Sequence, residues 1–173
     1  QNFANWYSYY RTRMLQMKTV SGRVFSGLDD RYRIGFLTIN ANSAAEYLKI
    51  SKFETTPTTH KQDWFTKFYA QDPGPGTPLR EALSRVGRHF AGVTTGINSF
   101  MPDDPVQYSC QSNYTLLTTD GYWNGNAGQQ IVDGTAIGNQ DNTLGPFVSR
   151  ANGTLDGIGT TVTQSTPIVT LQQ

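Results

Sequence analysis

The chain has 173 residues, 36% of them hydrophobic and 12% aromatic, which is enough apolar matter for one folded domain with a real core. Fourteen basic against 13 acidic residues leave a net charge of +1, so neither nucleic acid nor an anionic membrane is an implied partner. No apolar run approaches the ~20 residues of a membrane span, and the single cysteine, Cys110, gives no disulfide framework within the chain. Cys110 is then either buried and inert or paired with a cysteine elsewhere. The chain opens at Gln1 without a Met or a signal peptide, which reads as a processed or excised piece of something longer.

Taken in order, Phe3, Trp6, Tyr7, Tyr10, Met14, Met17, Val20 and Val24 recur at helical spacing and predict one long helix stopping near Gly27, with the aromatic residues facing the core. Asp29-Asp30 makes a turn into a strand over 33–40, apolar on both faces as in a parallel sheet covered by helices. Ala44 to Leu48 reads as one helical turn, and the Thr-rich stretch around Pro57 as a loop. Trp64, Phe65, Phe68 and Tyr69 predict a short amphipathic helix over 61–70, with His60 facing solvent at its start. A Pro/Gly loop over 71–76 follows. Thr77 then reads as an N-cap with Pro78 at the first helical position, opening a helix that buries Leu79, Ala82, Leu83, Val86 and Phe90. His89, near that helix's end, suits the dipole there.

The stretch Tyr114-Thr115-Leu116-Leu117-Thr118-Thr119 reads as a short buried strand, stopped by Asp120-Gly121. A carboxylate just beyond the carboxyl end of a strand in an α/β sheet is more often functional than structural, the alternative being that Asp120 simply caps the Gly121 turn or the next segment. Thr77 and Asp120 offer hydroxyl and carboxylate oxygens of the kind a hard divalent cation such as Mg²⁺ takes, and no Cys/His cluster for zinc occurs. From Asn124 onward the chain is dense in Gly, Asn, Thr and Gln, a composition for turns, short strands or a surface segment.

Gly76-Thr77-Pro78-Leu79-Arg80-Glu81-Ala82-Leu83 followed by Leu116-Leu117-Thr118-Thr119-Asp120-Gly121 resembles the second half of a von Willebrand factor A domain. The closer resemblance is to the PilC/PilY family of type IV pilus biogenesis factors and tip adhesins. It is carried by Asn2–Met14, Asp29–Phe36 and Cys110–Asn124 and covers roughly 2–124. The resemblance implies an α/β fold: an incomplete or divergent A-like, Rossmann-type parallel sheet flanked by helices over 1–124, lacking its first strand. Residues 125–173 would then be an irregular or β-rich extension or insertion. It implies Thr77 and Asp120 as part of a metal-ion-dependent adhesion site, whose Asp-x-Ser-x-Ser turn is not in this sequence. A divalent cation is expected only if that turn precedes Gln1.

The resemblance also implies a non-enzymatic role in pilus assembly, retraction control and adhesion, at the periplasm, outer membrane and cell surface. Minor pilins and surface receptors are the implied partners, and a carboxyl-terminal β-propeller the implied companion domain. Tyr122, Trp123 and Asn124 are candidate binding residues. Two other readings stand beside it. A glycan module would stack sugars on Tyr122-Trp123 with Asn124 and Asn126 as hydrogen-bond partners, unless those rings form a lid over the sheet's end. A hydrolase would need His60 or His89 as base, and neither sits near a Gly-x-Ser-x-Gly elbow.

Overall fold

The computed structural model describes residues 1–108, 110–119, 121–130 and 134–137, together with strands at 148–151 and 161–164. It divides into two compact units. The first comprises Gln1–Thr38 and Ala45–Pro75, the second Ile39–Ala44 and Gly76–Gln173.

The first unit holds α1 (Asn2–Tyr10), α2 (Arg13–Ser26), β1 (Arg33–Leu37), β2 (Tyr47–Lys52) and α3 (His60–Ala70). The expected single amino-terminal helix is two. Thr12 leaves the helical region and its hydroxyl accepts from the Leu15 N–H at 3.2 Å, so a side-chain cap restarts the helix inside an unbroken aromatic periodicity. The expected core role of the first aromatic residues is also corrected: α1 buries no residue, and Trp6 is 51% exposed. The core lies further along, where Trp64 stacks on Phe25 and Phe68 at centroid distances of 4.5 and 4.9 Å and meets Phe36 and Phe53 edge-on. Lys61 of α3 donates from Nζ to the Ser26 and Leu28 carbonyls, placing a cation where the α2 dipole is negative.

The strand expected over 33–40 forms, shorter, as β1. It pairs antiparallel with β2, Arg33 opposite Lys52 and Leu37 opposite Tyr47. The link 38–46 is too short for the helical crossover that parallel neighbours require. Its expected helical turn is a single 3-10 turn over Ala44–Glu46, after which Tyr47 already belongs to β2. Gly35 sits at an irregularity in the register, and a Cβ there would stand 2.8 Å from the Leu48 carbonyl oxygen, so the strands approach this closely only around a glycine. Two side chains of α3, one turn apart, hold this bend. His60 Nε2 lies 2.6 Å from the Ile34 carbonyl oxygen, and Trp64 Nε1 donates to the Gly35 carbonyl at 3.2 Å. His60, expected in solvent, is therefore buried.

The second unit is built on α4 (Leu79–Phe90), a 3-10 turn over Gly96–Asn98, an isolated antiparallel bridge between Gln129 and Ala136, and a hairpin of β3 (Val148–Ala151) with β4 (Thr161–Gln164). Both described sheets are two-stranded and antiparallel, so the structure is mixed helix and strand. The strand expected over 114–119 is absent: those residues form neither helix nor strand. The buried face of α4 is likewise not the expected one. Ala82 is buried, but its companions there are Ser84, Arg85, Arg88 and His89, while Leu79, Leu83, Val86 and Phe90 are half-buried.

Candidate functional site

The start of α4 is organised around Asn124 rather than around a threonine cap. Pro78 occupies the N-cap position, and no side chain caps the helix. The Thr77 N–H donates to Asn124 Oδ1 at 2.7 Å, and the Thr77 carbonyl accepts from the Asn124 N–H at 3.0 Å. This reciprocal clip fixes the loop that follows Asp120 against the helix start. Thr77 is thus a main-chain anchor and not the expected N-cap, since the helix begins one residue later, with the Pro78 carbonyl accepting from the Ala82 N–H.

From that clip one polar face of α4 holds the loop residue by residue. The Arg80 guanidinium lies over the Trp123 ring at 4.3 Å, a cation–π contact on the surface. Glu81 accepts from Asn126 Nδ2 at 2.9 Å through one carboxylate oxygen and from Arg85 at 2.8 Å through the other. The Ser84 hydroxyl donates to the Gln129 carbonyl at 2.5 Å and accepts from the Gln129 N–H at 2.9 Å. Gly128 makes that approach possible: its φ is +82°, and a Cβ would lie 2.7 Å from Ser84 Cβ.

Arg88 closes the series. It is 2% exposed, and it donates to the carbonyls of Gln130 and Thr95 and to Asn98 Oδ1. Asn98, fully buried, returns a hydrogen bond from Nδ2 to the Arg85 carbonyl at 2.8 Å. Burial pushes the Arg88 pKa below the usual guanidinium value, and the groups that receive its hydrogen bonds are all neutral oxygens. Beside this clasp a cavity of about 310 Å³ is lined by Glu81, Ile97, Asn126, Gln129, Gly134 and Ala136.

The sequence-predicted residues fall as follows. Thr77, Trp123 and Asn124 are brought together at the helix start, and Tyr122 stands 93% exposed beside them. The lid alternative for Tyr122 does not hold, since its ring covers nothing. Asp120 lies outside the described residues. His89 is buried with Nε2 3.8 Å from Asp103 Oδ2, and Cys110 is an exposed free thiol. Ser84, Arg88, Asn98 and Gln129 carry no motif that marks them in the sequence. For Ser84 and Arg88 the signal is the 81–84–88 spacing of polar residues on one helix face, and Asn98 and Gln129, off that helix, have none.

The described side chains do not by themselves make a cation site. Among the described residues no group of three or more His, Cys, Asp or Glu could hold a metal, and Thr77 offers a single hydroxyl. Nor, among the described residues, is any helix long and apolar enough to cross a membrane.

Comparison with known proteins supplies the identity of this region. The chain is 33% identical over 158 residues to the type IV pilus biogenesis factor PilY1 of Pseudomonas aeruginosa strain PAK, covering 83% of this chain and 12% of that protein. Against PilY1 of strain PAO1 it is 31% identical over 161 residues, covering 83% of this chain and 13% of the relative. The PilY1 of strain UCBPP-PA14 is 33% identical over 149 residues, with coverages of 83% and 12%. No family model and no solved structure matches. The mixed helix-and-strand chain is therefore a region of a type IV pilus-associated protein. More narrowly, it belongs to the PilY1-type family, and it spans about an eighth of the length of the curated relatives it matches.

Proposed function

We propose that this region is a non-enzymatic binding and assembly module of a pilus-associated protein. It acts in pilus assembly and retraction control, and in adhesion to surfaces or host cells. The similarity to PilY1 over 83% of the chain carries the reading. The fixed loop supports it: the Asn124 clip and the Arg80–Trp123 contact hold Tyr122 out in solvent without further ordering on binding, the condition under which aromatic residues make strong contacts. Both histidines a hydrolase could use as base have structural engagements, His60 at the Ile34 carbonyl and His89 near Asp103. On this reading the partners are minor pilins and surface receptors, the site of action is the pilus at the outer membrane and cell surface, and a β-propeller follows in the full-length protein.

The test is complementation of a strain lacking the full-length protein. A double variant Tyr122→Ser, Trp123→Ser is expected to leave surface pili assembled and to cut surface attachment several-fold. Full attachment by that variant would remove the binding role from this loop. A full-length protein deleted for the whole region that still restored pili, twitching and attachment would remove the module reading altogether.

The A-domain likeness of 1–124, with 125–173 as its extension, belongs to the same proposal, and with it a divalent cation at Thr77 and Asp120 completed by an upstream Asp-x-Ser-x-Ser. Full-length protein is then expected to melt a few degrees higher in millimolar Mg²⁺, as binding to the native state alone requires. Asp120→Ala is expected to abolish the shift. An unchanged melting temperature with metal counts against the site.

A further inference from the structure

Asn124-Gly125 is a chemically labile pair wherever it is free to move. The main-chain nitrogen that follows an asparagine can close a five-membered ring on the carboxamide carbon, and glycine, with no Cβ, puts nothing in its way. Both residues are exposed, so water and hydroxide reach them. Among the described residues neither Asn124 Nδ2 nor the Gly125 N–H has a hydrogen-bond partner. The group that would leave and the nitrogen that would attack are therefore both unencumbered.

What restrains the pair is the clip. The Asn124 N–H and Oδ1 are tied to the same residue, Thr77, at 3.0 and 2.7 Å, so main chain and side chain are fixed together. Two close approaches leave the asparagine little room. At Gly76, φ +76°, a Cβ would lie 3.0 Å from Asn124 Oδ1, and at Gly125, φ +97°, a Cβ would lie 3.1 Å from Pro78 Cβ.

We propose that Asn124 is a self-modification site guarded by the clip, and that its conversion releases the loop bearing Tyr122 and Trp123. Ring closure draws Cγ onto the Gly125 nitrogen and moves Oδ1 with it, so it proceeds from the open clip. The N–Cγ bond forms, the Cγ–Nδ2 bond breaks, and the proton from Gly125 leaves with Nδ2 as ammonia. Water then opens the succinimide at either carbonyl, giving aspartate or isoaspartate. Aspartate keeps a side-chain oxygen where Oδ1 was and renews the clip. Isoaspartate carries the main chain through an extra methylene, so its N–H and acceptor no longer match Thr77. The Arg80–Trp123 and Glu81–Asn126 contacts then lose their anchor. The inference rests on the clip and not on the pilus role, so a failed attachment assay leaves it standing.

Peptide mapping of full-length protein aged at mildly alkaline pH, folded and in denaturant, tests it. Conversion at Asn124 is expected to be about tenfold slower or more in the folded protein, as a reaction gated by local opening must be. Thr77→Pro removes the N–H and keeps the carbonyl, and is expected to bring the folded rate close to the denatured one while the α4 amides stay protected. Arg80→Ala removes the Trp123 contact and leaves the clip atoms in place, and is expected to raise the rate by about two- to fivefold. Equal rates in folded and denatured protein overturn the guard. So does an Arg80→Ala rate unchanged from the parent, or a Thr77→Pro variant with protected α4 amides that converts no faster. In aged protein the Thr77 amide is expected to exchange fast in the isoaspartate fraction and slowly in an Asn124→Asp variant. A Thr77 amide still protected beside isoaspartate overturns the release.

Discussion

Replacing Arg88 by alanine is expected to cost the second unit about 3–5 kcal/mol, enough to lower a melting temperature by on the order of 10 °C for a chain of this size. The guanidinium is almost fully buried and serves the Thr95 and Gln130 carbonyls and Asn98 Oδ1 at once. Truncation leaves all three oxygens without their donor in a place water reaches poorly, and an orphaned buried acceptor costs more than a made hydrogen bond contributes. Arg88→Met separates this cause from packing, since it keeps the apolar stem and removes only the donors. The methionine variant is expected to lose about 3 kcal/mol, nearly as much as alanine. Arg88→Lys also falls short, because a single ammonium cannot span acceptors that the planar fork reaches from separate nitrogens. Chemical denaturation followed by circular dichroism, with amide exchange on α4 reporting the second unit, measures these differences. A methionine variant within about 1 kcal/mol of the parent would show that stem packing, not hydrogen bonding, keeps the arginine inside.

Arg88 also shows where the sequence stops being readable. Helix spacing locates α4, and Gly76 to Pro78 mark its start within a residue or two, because those signals are local. The choice of face is not local. The hydrophobic-stripe rule puts leucines inside and arginines out, but the partners that draw Arg85 and Arg88 inward lie far along the chain or in a loop with no strand signal. Trp64, Phe65, Phe68 and Tyr69 are legible as α3 because their helical spacing is itself a local signal, although of the four only Trp64 is buried, and the similar stripe of α1 buries nothing. β2 is hidden because Lys49 and Lys52 interrupt its apolar pattern; both point to solvent from a half-covered strand. At the candidate site, Thr77 and Asn124 both stand out in the sequence and do meet, yet Thr77 takes part through its backbone N–H and carbonyl, which a sequence motif cannot display. Tyr114–Thr119 has strand propensity without a strand, since no described residue pairs with its backbone.

In the first unit the residue expected to matter most is Trp64. Trp64→Ala is expected to cost about 4–5 kcal/mol, from a large-to-small core truncation plus the stacking that disappears with the indole ring. The ring is 3% exposed and lies between Phe25 and Phe68, so the void left behind is walled by rings that cannot collapse into it without breaking their own packing. The indole also donates to the Gly35 carbonyl at the β1 bend, beside the carbonyl that His60 engages. Consecutive carbonyls of a regular strand point in opposite directions, and the irregularity between Ile34 and Phe36 is what lets α3 reach both. Trp64→Phe keeps the stacking and removes that donor, so it is expected to cost only about 1–2 kcal/mol. His60→Ala is expected to couple with it, because loosening either contact frees the bend that the other needs; a double-mutant cycle should return an interaction of roughly 0.5–1 kcal/mol. Strict additivity would mean that each side chain binds β1 independently. The bend would then be fixed by the Gly35 contact with β2, and α3 would be packed onto a hairpin already formed.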